Sequence, residues 1–512
     1  MTPFRAVLAS LLVLPFAAFA QSIQLPDGFV DESFISGLSG QITGFDASAQ
    51  GKVFISEKSG IVRVVADGQL LEEPFIDIEE IVNNRVDRGL LSVAVHPQFP
   101  EQPYVYVLFT FDPPELVSNA LTGPGVQNGN GNRVSRLVRY TADSSKNFNV
   151  ALENSDIVIL GKNSTFEAIG NAEERFDTQT PSCGPIGAPV EDCLPIDEIT
   201  HTIGALRFAD DGTLYVTNGD GANYRDPSPL SQMTYDLDSL RGKILRIDAQ
   251  FGLGLADNPF YDGNPSSNRS RVVSFGLRNP YSMTVHPVTG IPYVGEVGNE
   301  SWEEINGGIG KNFGWPCYEG GPEGNLRAPG HEEFDFCQAV YAANEAIEAP
   351  LISWQHDGLG NAGIIGDFYL GTQFPEEYRG KLFYGDYIRG WLRYADVDTA
   401  GSVTAKEFAT NVPPMTEIRV GADGALYYAS ITSGEVRRIR FDGELLPVDP
   451  VDPVDPVDPV DPVEPVTPVD PNSPEISDPQ RVNVGGGSVG LMMLLILFVA
   501  GLRHKTVGMR AS

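Results

Sequence analysis

Short apolar stretches dominate the chain, each stopped by Gly, Pro, Asp or Asn. Val105–Phe111, Arg136–Tyr140, Lys243–Ile247, Tyr293–Val297, Lys381–Tyr384 and Ala425–Ser430 are β-branched or aromatic and too short for helices, so they predict strands. One phrase recurs: an apolar start, an Asp-Gly or similar turn, an aromatic-rich strand, a second turn, and a strand ending in Arg and Val or Ile. Gly51–Val65, Gly204–Val216 and Glu417–Ile439 are its clearest copies. Copies start near Ile42, Leu91, Ala205, Ser282, Gly363 and Thr416, and long loops (113–132 and 163–198) make their spacing irregular. Six such sheets predict an all-β, six-bladed β-propeller with its functional residues on loops at the channel mouth.

The same pattern marks what lies outside that fold. Residues 1–20 carry Arg5, an apolar run and a small-residue cleavage site, and read as a secretory signal peptide. The propeller then occupies 21–446. Residues 447–480 repeat Val-Asp-Pro, and Pro at every third position blocks helix and sheet ladders and favours an extended polyproline II linker. In 485–512 a glycine patch, Gly485-Gly486-Gly487-Ser488, precedes the apolar run Val489–Leu502 and then Arg503, His504 and Lys505. That run of about 14 residues falls short of the ~18–20 of a comfortable membrane span. The tail resembles the GlyGly-CTERM sorting signals, which implies a tail-processing membrane protease as a partner; a plain C-terminal transmembrane anchor is the alternative. Both readings export the folded part to the periplasm or cell surface and let it touch a membrane only through this segment.

The formal net charge of −33 argues against nucleic acid and anionic membrane surfaces as partners. The four cysteines bracket two Pro/Gly loops, which in an exported protein predicts local disulfides Cys183–Cys193 and Cys317–Cys337. No CxxC or HxxxH spacing supports a metal site instead.

Chemistry concentrates after the second clear copy of the phrase. His96 and His286 each precede Pro at equivalent places in two copies, which favours a structural role. His331 and His356 lie in loops and stay open. His201 begins a blade whose counterparts carry no His there, and a neutral imidazole at a channel mouth can accept a proton from a hydroxyl. Asp220 ends the strand pair that follows, and Arg278-Asn279 opens the next blade. Gly295 to Glu300, Trp302 to Asn306 and Asn312 to Pro316 then set backbone carbonyls beside carboxylates, a donor set suited to Ca²⁺.

At these residues the chain resembles the soluble glucose/sorbosone dehydrogenases that use pyrroloquinoline quinone (PQQ), and their aldose-dehydrogenase relatives. The landmarks run in order through Leu25–Gly443: Gly89-Leu90-Leu91 with His96-Pro97-Gln98-Phe99, His201, Gly219-Asp220, Arg278-Asn279-Pro280, Glu296-x-Gly298, Glu304-Ile305-Asn306 and Asn312-Phe313-Gly314-Trp315-Pro316. The resemblance implies an oxidoreductase that passes hydride from an aldose or related hydroxyl compound to PQQ. His201 would be the base and Asp220 its support. Arg278 would polarise the quinone, Asn279 would orient quinone or sugar, and the backbone oxygens of Gly298 and Asn299 would hold calcium. The family grips the cofactor's three carboxylates with a Lys in a blade-five turn and an Arg-x-Arg at the start of blade six. Here the turn reads Gly385-Asp386-Tyr387-Ile388-Arg389-Gly390, with Arg389 as the candidate cofactor-binding cation. Blade six begins Pro413-Pro414-Met415-Thr416-Glu417, without a base. These departures resemble the hedgehog-interacting-protein-like branch and imply the alternative function, a non-catalytic propeller binding module displayed at the cell surface.

Overall fold

The computed structural model describes residues 22–444 apart from 39, 119–122, 175–176, 225, 322–323, 359 and 398–402. The signal peptide, the Pro-rich linker and the C-terminal tail lie outside the described residues. Among the described residues no helix is long and apolar enough to cross a membrane.

Six antiparallel sheets form the six blades of a β-propeller. Their innermost strands are Ile42–Ala47, Leu90–Val95, Ile203–Phe208, Pro280–Val285, Gly363–Phe368 and Met415–Val420. Each starts within two residues of the copy read from the pattern. Successive inner strands pack side by side, so the buried residues of neighbouring blades interleave into clusters such as Leu91, Leu206, Val216 and Leu245. Gly204 shows how close that approach is: a Cβ there would meet the Pro280 carbonyl oxygen of the next blade at 2.1 Å.

Blade six is closed from the other end of the chain. Its outer strand is Phe29–Ile35, paired antiparallel with Glu435–Phe441. Arg437 Nη2 to Asp31 Oδ2 (2.6 Å) and Arg438 to Glu32 pin that pairing, and Phe29 packs edge-on against Phe374 and Phe408. Joining the first strand to the last sheet leaves no open seam in the ring.

Two insertions carry the disulfides, paired as the sequence predicts: Cys183–Cys193 with Cα atoms 5.6 Å apart and Cys317–Cys337 with Cα atoms 5.1 Å apart. The second insertion leaves blade four after Trp302–Gly307. It carries the hairpin Tyr318–Gly321 and Gly324–Arg327 and the helix Asp335–Ala343, and it returns at Ile352–Gln355.

All six inner strands meet again at one end of the channel, in a charged cluster. Arg419 Nη2 donates to Asp46 Oδ1 (3.0 Å), and Asp46 Oδ2 accepts from Val95 N (2.8 Å). Asp367 accepts from Thr284 Oγ1 (3.0 Å) and Val420 N (3.0 Å), and Arg207 pairs with Glu417.

Candidate functional site

The opposite end of the channel carries the residues singled out from the sequence. His201 sits just before its strand with φ +49°, a left-handed backbone that non-glycine residues adopt at a cost. The conformation is held by hydrogen bonds from Gly221 N to His201 O (3.0 Å) and from Gly219 N to Thr202 O (2.7 Å). Gly219 must be glycine, because a Cβ there would lie 2.3 Å from His201 O. The two loops are thereby laced together, and Asp220 projects beside the imidazole.

His201 Nδ1 lies 3.0 Å from Asp220 Oδ1. Burial opposes charge on Asp220, but His201 and Arg278 outweigh it and hold the carboxyl below its usual range. The ionised carboxylate accepts, so Nδ1 carries the proton and Nε2 keeps the lone pair. Burial, followed by the Arg278 charge, pushes His201 below its ordinary value, and Asp220 pulls it back only in part. The imidazole is therefore neutral at neutral pH and able to accept a proton. The other Asp220 oxygen accepts from Trp315 Nε1 at 2.7 Å, and Ala222 N donates to Oδ1 at 2.8 Å.

Arg278 lies under this pair, 5 % exposed. Its Nη1 donates to Val297 O (3.0 Å) and Gly298 O (2.7 Å), its backbone carbonyl accepts from Asp220 N (2.8 Å), and its guanidinium carbon is 5.4 Å from the Trp315 ring centroid. Glu296 Oε1 accepts from the backbone N of Arg278 (2.8 Å) and of Asn279. His201, Asp220, Arg278 and Asn279 are thus brought together, with Gly298 and Asn299 adjoining. Arg389 is not among them. Asp386 ties down its turn by accepting from Ile388 N and Arg389 N, and the Arg389 side chain turns outward to Asp357 (2.8 Å).

On the axis above lies a cavity of about 280 Å³ to which all six blades contribute, including Thr43, Leu91, Thr202, Asn279, Tyr387 and Thr416. Its charged lining residues are Lys58 and Asp87. Burial pushes Lys58 down and Asp87 up, each away from its charged form. Lys58 Nζ donates to Asn84 O, and Asp87 N donates to Ile199 O (3.0 Å), on the loop that leads to His201. Sequence reasoning missed Lys58, whose signal was a cation at a strand end in the first clear copy of the phrase. It also missed the Trp315 contact to Asp220, which joins residues far apart in the chain.

Behind Arg278 lies a much smaller hollow, about 10 Å³, bordered by Glu296, Glu304, Glu319, Asn306, Gly298 and Asn299. Glu319 Oε1 accepts from four consecutive backbone N–H groups, Asn299 to Trp302, at 2.9–3.2 Å. Glu296 Oε2, Glu319 Oε2 and Asn306 Oδ1 are buried without partners. Burial raises Glu304 to about 7 and Glu296 well above the usual carboxylate range. Among the described residues no group of three or more His, Cys, Asp or Glu side chains is spaced to hold a metal ion.

The glucose/sorbosone dehydrogenase family model matches residues 42–184 and 195–438, which include all six inner strands. The chain belongs to that family. It is 31 % identical over 248 residues to the aldose sugar dehydrogenase YliI of Escherichia coli, covering 47 % of this chain and 60 % of that protein. It is 26 % identical over 272 residues to the human hedgehog-interacting protein, covering 51 % of this chain and 32 % of that protein. The match thus spans less than two thirds of each of these relatives. Solved structures share the fold. The glucose dehydrogenase-like oxidoreductase of Thermus thermophilus has a TM-score of 0.54 at 24 % identity, over 81 % of this chain and 99 % of its own. The PQQ-bound aldose sugar dehydrogenase of Streptomyces coelicolor has a TM-score of 0.53 at 17 % identity, over 82 % and 98 %. Membership of the glucose/sorbosone dehydrogenase family accounts for the order of the landmarks; it leaves open what this member binds.

Proposed function

We propose that this propeller acts on a hydroxyl group of a small sugar-class compound at the channel mouth, with His201 as the proton acceptor. One observation carries the reading: Nδ1 of a buried, neutral imidazole is fixed on Asp220, whose second oxygen is fixed on Trp315, leaving Nε2 as the basic atom. A base held on a strained backbone by a doubly anchored carboxylate is costly to maintain without use. The aldose sugar dehydrogenase relative supports the substrate class.

Oxidation would also need an electron acceptor, and the residues present do not fit PQQ. Three carboxylates require several cations. Thr416 and Tyr387 line the axial cavity in the segments where the family places its bases, and Arg389 is committed to Asp357. Lys58 is the cation that lines it, and Asp87 lines it as well. No step is therefore routed through the quinone. Calcium fits better, though away from the pair of carbonyls expected to hold it, since Gly298 O already accepts from Arg278. The unpartnered oxygens of Glu296, Glu319 and Asn306 are hard donors that would hold it, and it would supply neutralising charge beneath Arg278.

The absent carboxylate clamp favours a second reading, a sugar-binding display module without turnover. One experiment separates the two. The full chain is mixed with PQQ and Ca²⁺, cofactor binding is followed by fluorescence quenching, and dye reduction and direct binding are measured with a panel of aldoses. We expect sugar binding without tight PQQ binding. Saturable PQQ binding at micromolar concentration would overturn the cofactor argument. Turnover that survives His201→Gln would overturn the role of His201.

A further inference from the structure

Beyond the dyad, Asp220 is tied through Trp315 to a second histidine. The indole whose N–H reaches Asp220 Oδ2 is flanked by the Arg278 guanidinium and by the ring of His331, whose centroid is 4.6 Å away at 63°. His331 packs in turn on Phe334 (5.6 Å, 84°). It lies inside the loop closed by Cys317–Cys337, within a turn in which His331 N donates to Ala328 O (3.2 Å) and Phe334 N donates to His331 O (3.0 Å). Trp315 itself is anchored through its backbone, N to Gly276 O (2.9 Å) and O from Thr234 Oγ1 (2.5 Å), so the ring's position depends on what abuts it.

The imidazole is buried edge-on against the indole. His331 is 4 % exposed; its Nδ1 makes no hydrogen bond of good geometry, and the Pro329 backbone oxygen is the acceptor that its imidazole approaches. With that bond poorly formed, the ring is held chiefly by its contacts with the Trp315 indole and with Phe334. The charged and titratable groups that face it are Asp220, Arg278, Glu332 and His201, so it looks onto the dyad.

We propose that His331 is a positioning residue: its ring, presented by the disulfide-closed insertion, braces Trp315 so that the indole N–H stays on Asp220 and fixes the basicity of His201. This rests on the reading of His201 as the site's functional group. The physical chain is direct. An N–H on Asp220 Oδ2 shares the carboxylate's negative charge and so weakens its hold on the His201 proton. Loosening Trp315 returns that charge to the dyad and makes His201 more basic.

The test is the NMR titration of His201 in the full chain, assigned with His201→Gln. His331→Ala should raise the His201 midpoint by about half a unit or more and broaden its low-field Nδ1–H signal. Trp315→Phe, which keeps a ring but loses the N–H, should do the same. His331→Phe keeps the bracing edge and should leave the midpoint near the wild-type value. If the alanine variant does not fold, His331→Leu replaces it, since leucine fills volume without a flat edge. A folded His331→Ala or His331→Leu protein with an unmoved His201 midpoint would overturn the proposal. If His201→Gln leaves turnover intact while His331→Ala still moves the titration, the functional reading fails and the positioning role stands.

Discussion

The two ends of the channel are built on opposite terms. At the far end Asp46, Asp367 and Arg419 are satisfied by one another and by backbone groups from neighbouring strands, and Arg207 Nε alone of that cluster is buried without a partner among the described residues. At the mouth Thr200 Oγ1, Arg278 Nε, Glu296 Oε2, Glu319 Oε2 and Asn306 Oδ1 are buried without partners, and His201 holds a left-handed backbone. Unsatisfied groups cost free energy, so a fold keeps them where a ligand or ion can use them. The far end stabilises the ring, and the mouth keeps polar groups in reserve. Charge alone would not separate the two, because both are rich in carboxylates and arginine.

The largest expected effect tests the far end. Arg419→Ala leaves Asp46 and Asp367 without their cation in a half-buried setting and should cost about 2–3 kcal/mol of stability, between the exposed and the fully buried limits. Chemical denaturation measures it, and His201 in the folded fraction should titrate as before. A loss under about 1 kcal/mol would mean that water already screens the cluster, and the contrast with the mouth would vanish.

At the mouth, added Ca²⁺ should raise the melting temperature and a chelator should lower it. Saturation at about 100 times the dissociation constant corresponds to about 2.7 kcal/mol. Glu319→Gln should abolish the response, while Asp46→Asn at the far end should keep it. A response unchanged in Glu319→Gln would place the ion elsewhere.

Thr416→Arg restores a base to the axial cavity at the start of blade six. If missing charge is what excludes PQQ, this one residue should strengthen quinone binding by about 1.5–3 kcal/mol, tenfold or more, with the gain shrinking at high salt. Titration calorimetry at two ionic strengths reads it. No gain at low salt would mean that the shape of the cavity, and not its charge, is at fault.

The contrast between the ends also explains what could be read from the sequence. Blade starts were legible because the inner strands are buried on both faces, so Leu90–Val95 appears as a nearly continuous apolar run. The fourth strand of blade six was not, because Phe29–Ile35 lies at the other end of the chain from its partner and is mostly half-buried or exposed, with no apolar run or alternation to mark it. His201 with Asp220 was legible because a repeated phrase exposes departures from it. The direction of side chains was not: Arg389 turns outward to Asp357 and Gly298 O turns toward Arg278, and each outcome depends on a partner set by tertiary packing. Lys58 went unread for a similar reason, since nothing local distinguishes a charge facing the axis from one facing water.

The smallest effect sharpens the comparison most, because it isolates one hydrogen bond. Asp220 raises the His201 pKa while burial and Arg278 lower it. Asp220→Asn removes the raising partner, so the His201 midpoint should fall further, by about one unit, or about 1.4 kcal/mol. The sign for stability follows from the same shift. In the wild-type protein the folded pKa lies below the unfolded value of 6.5, so the folded state resists protonation and stability declines as pH falls from that value toward the folded pKa. In the variant that decline should continue to lower pH. Turnover should drop as well, because the amide no longer selects the tautomer that leaves Nε2 basic. An Asp220→Asn midpoint that rises would mean that the carboxylate is protonated in the native protein, and the mouth would then hold a neutral acid where a charged orienting group is required.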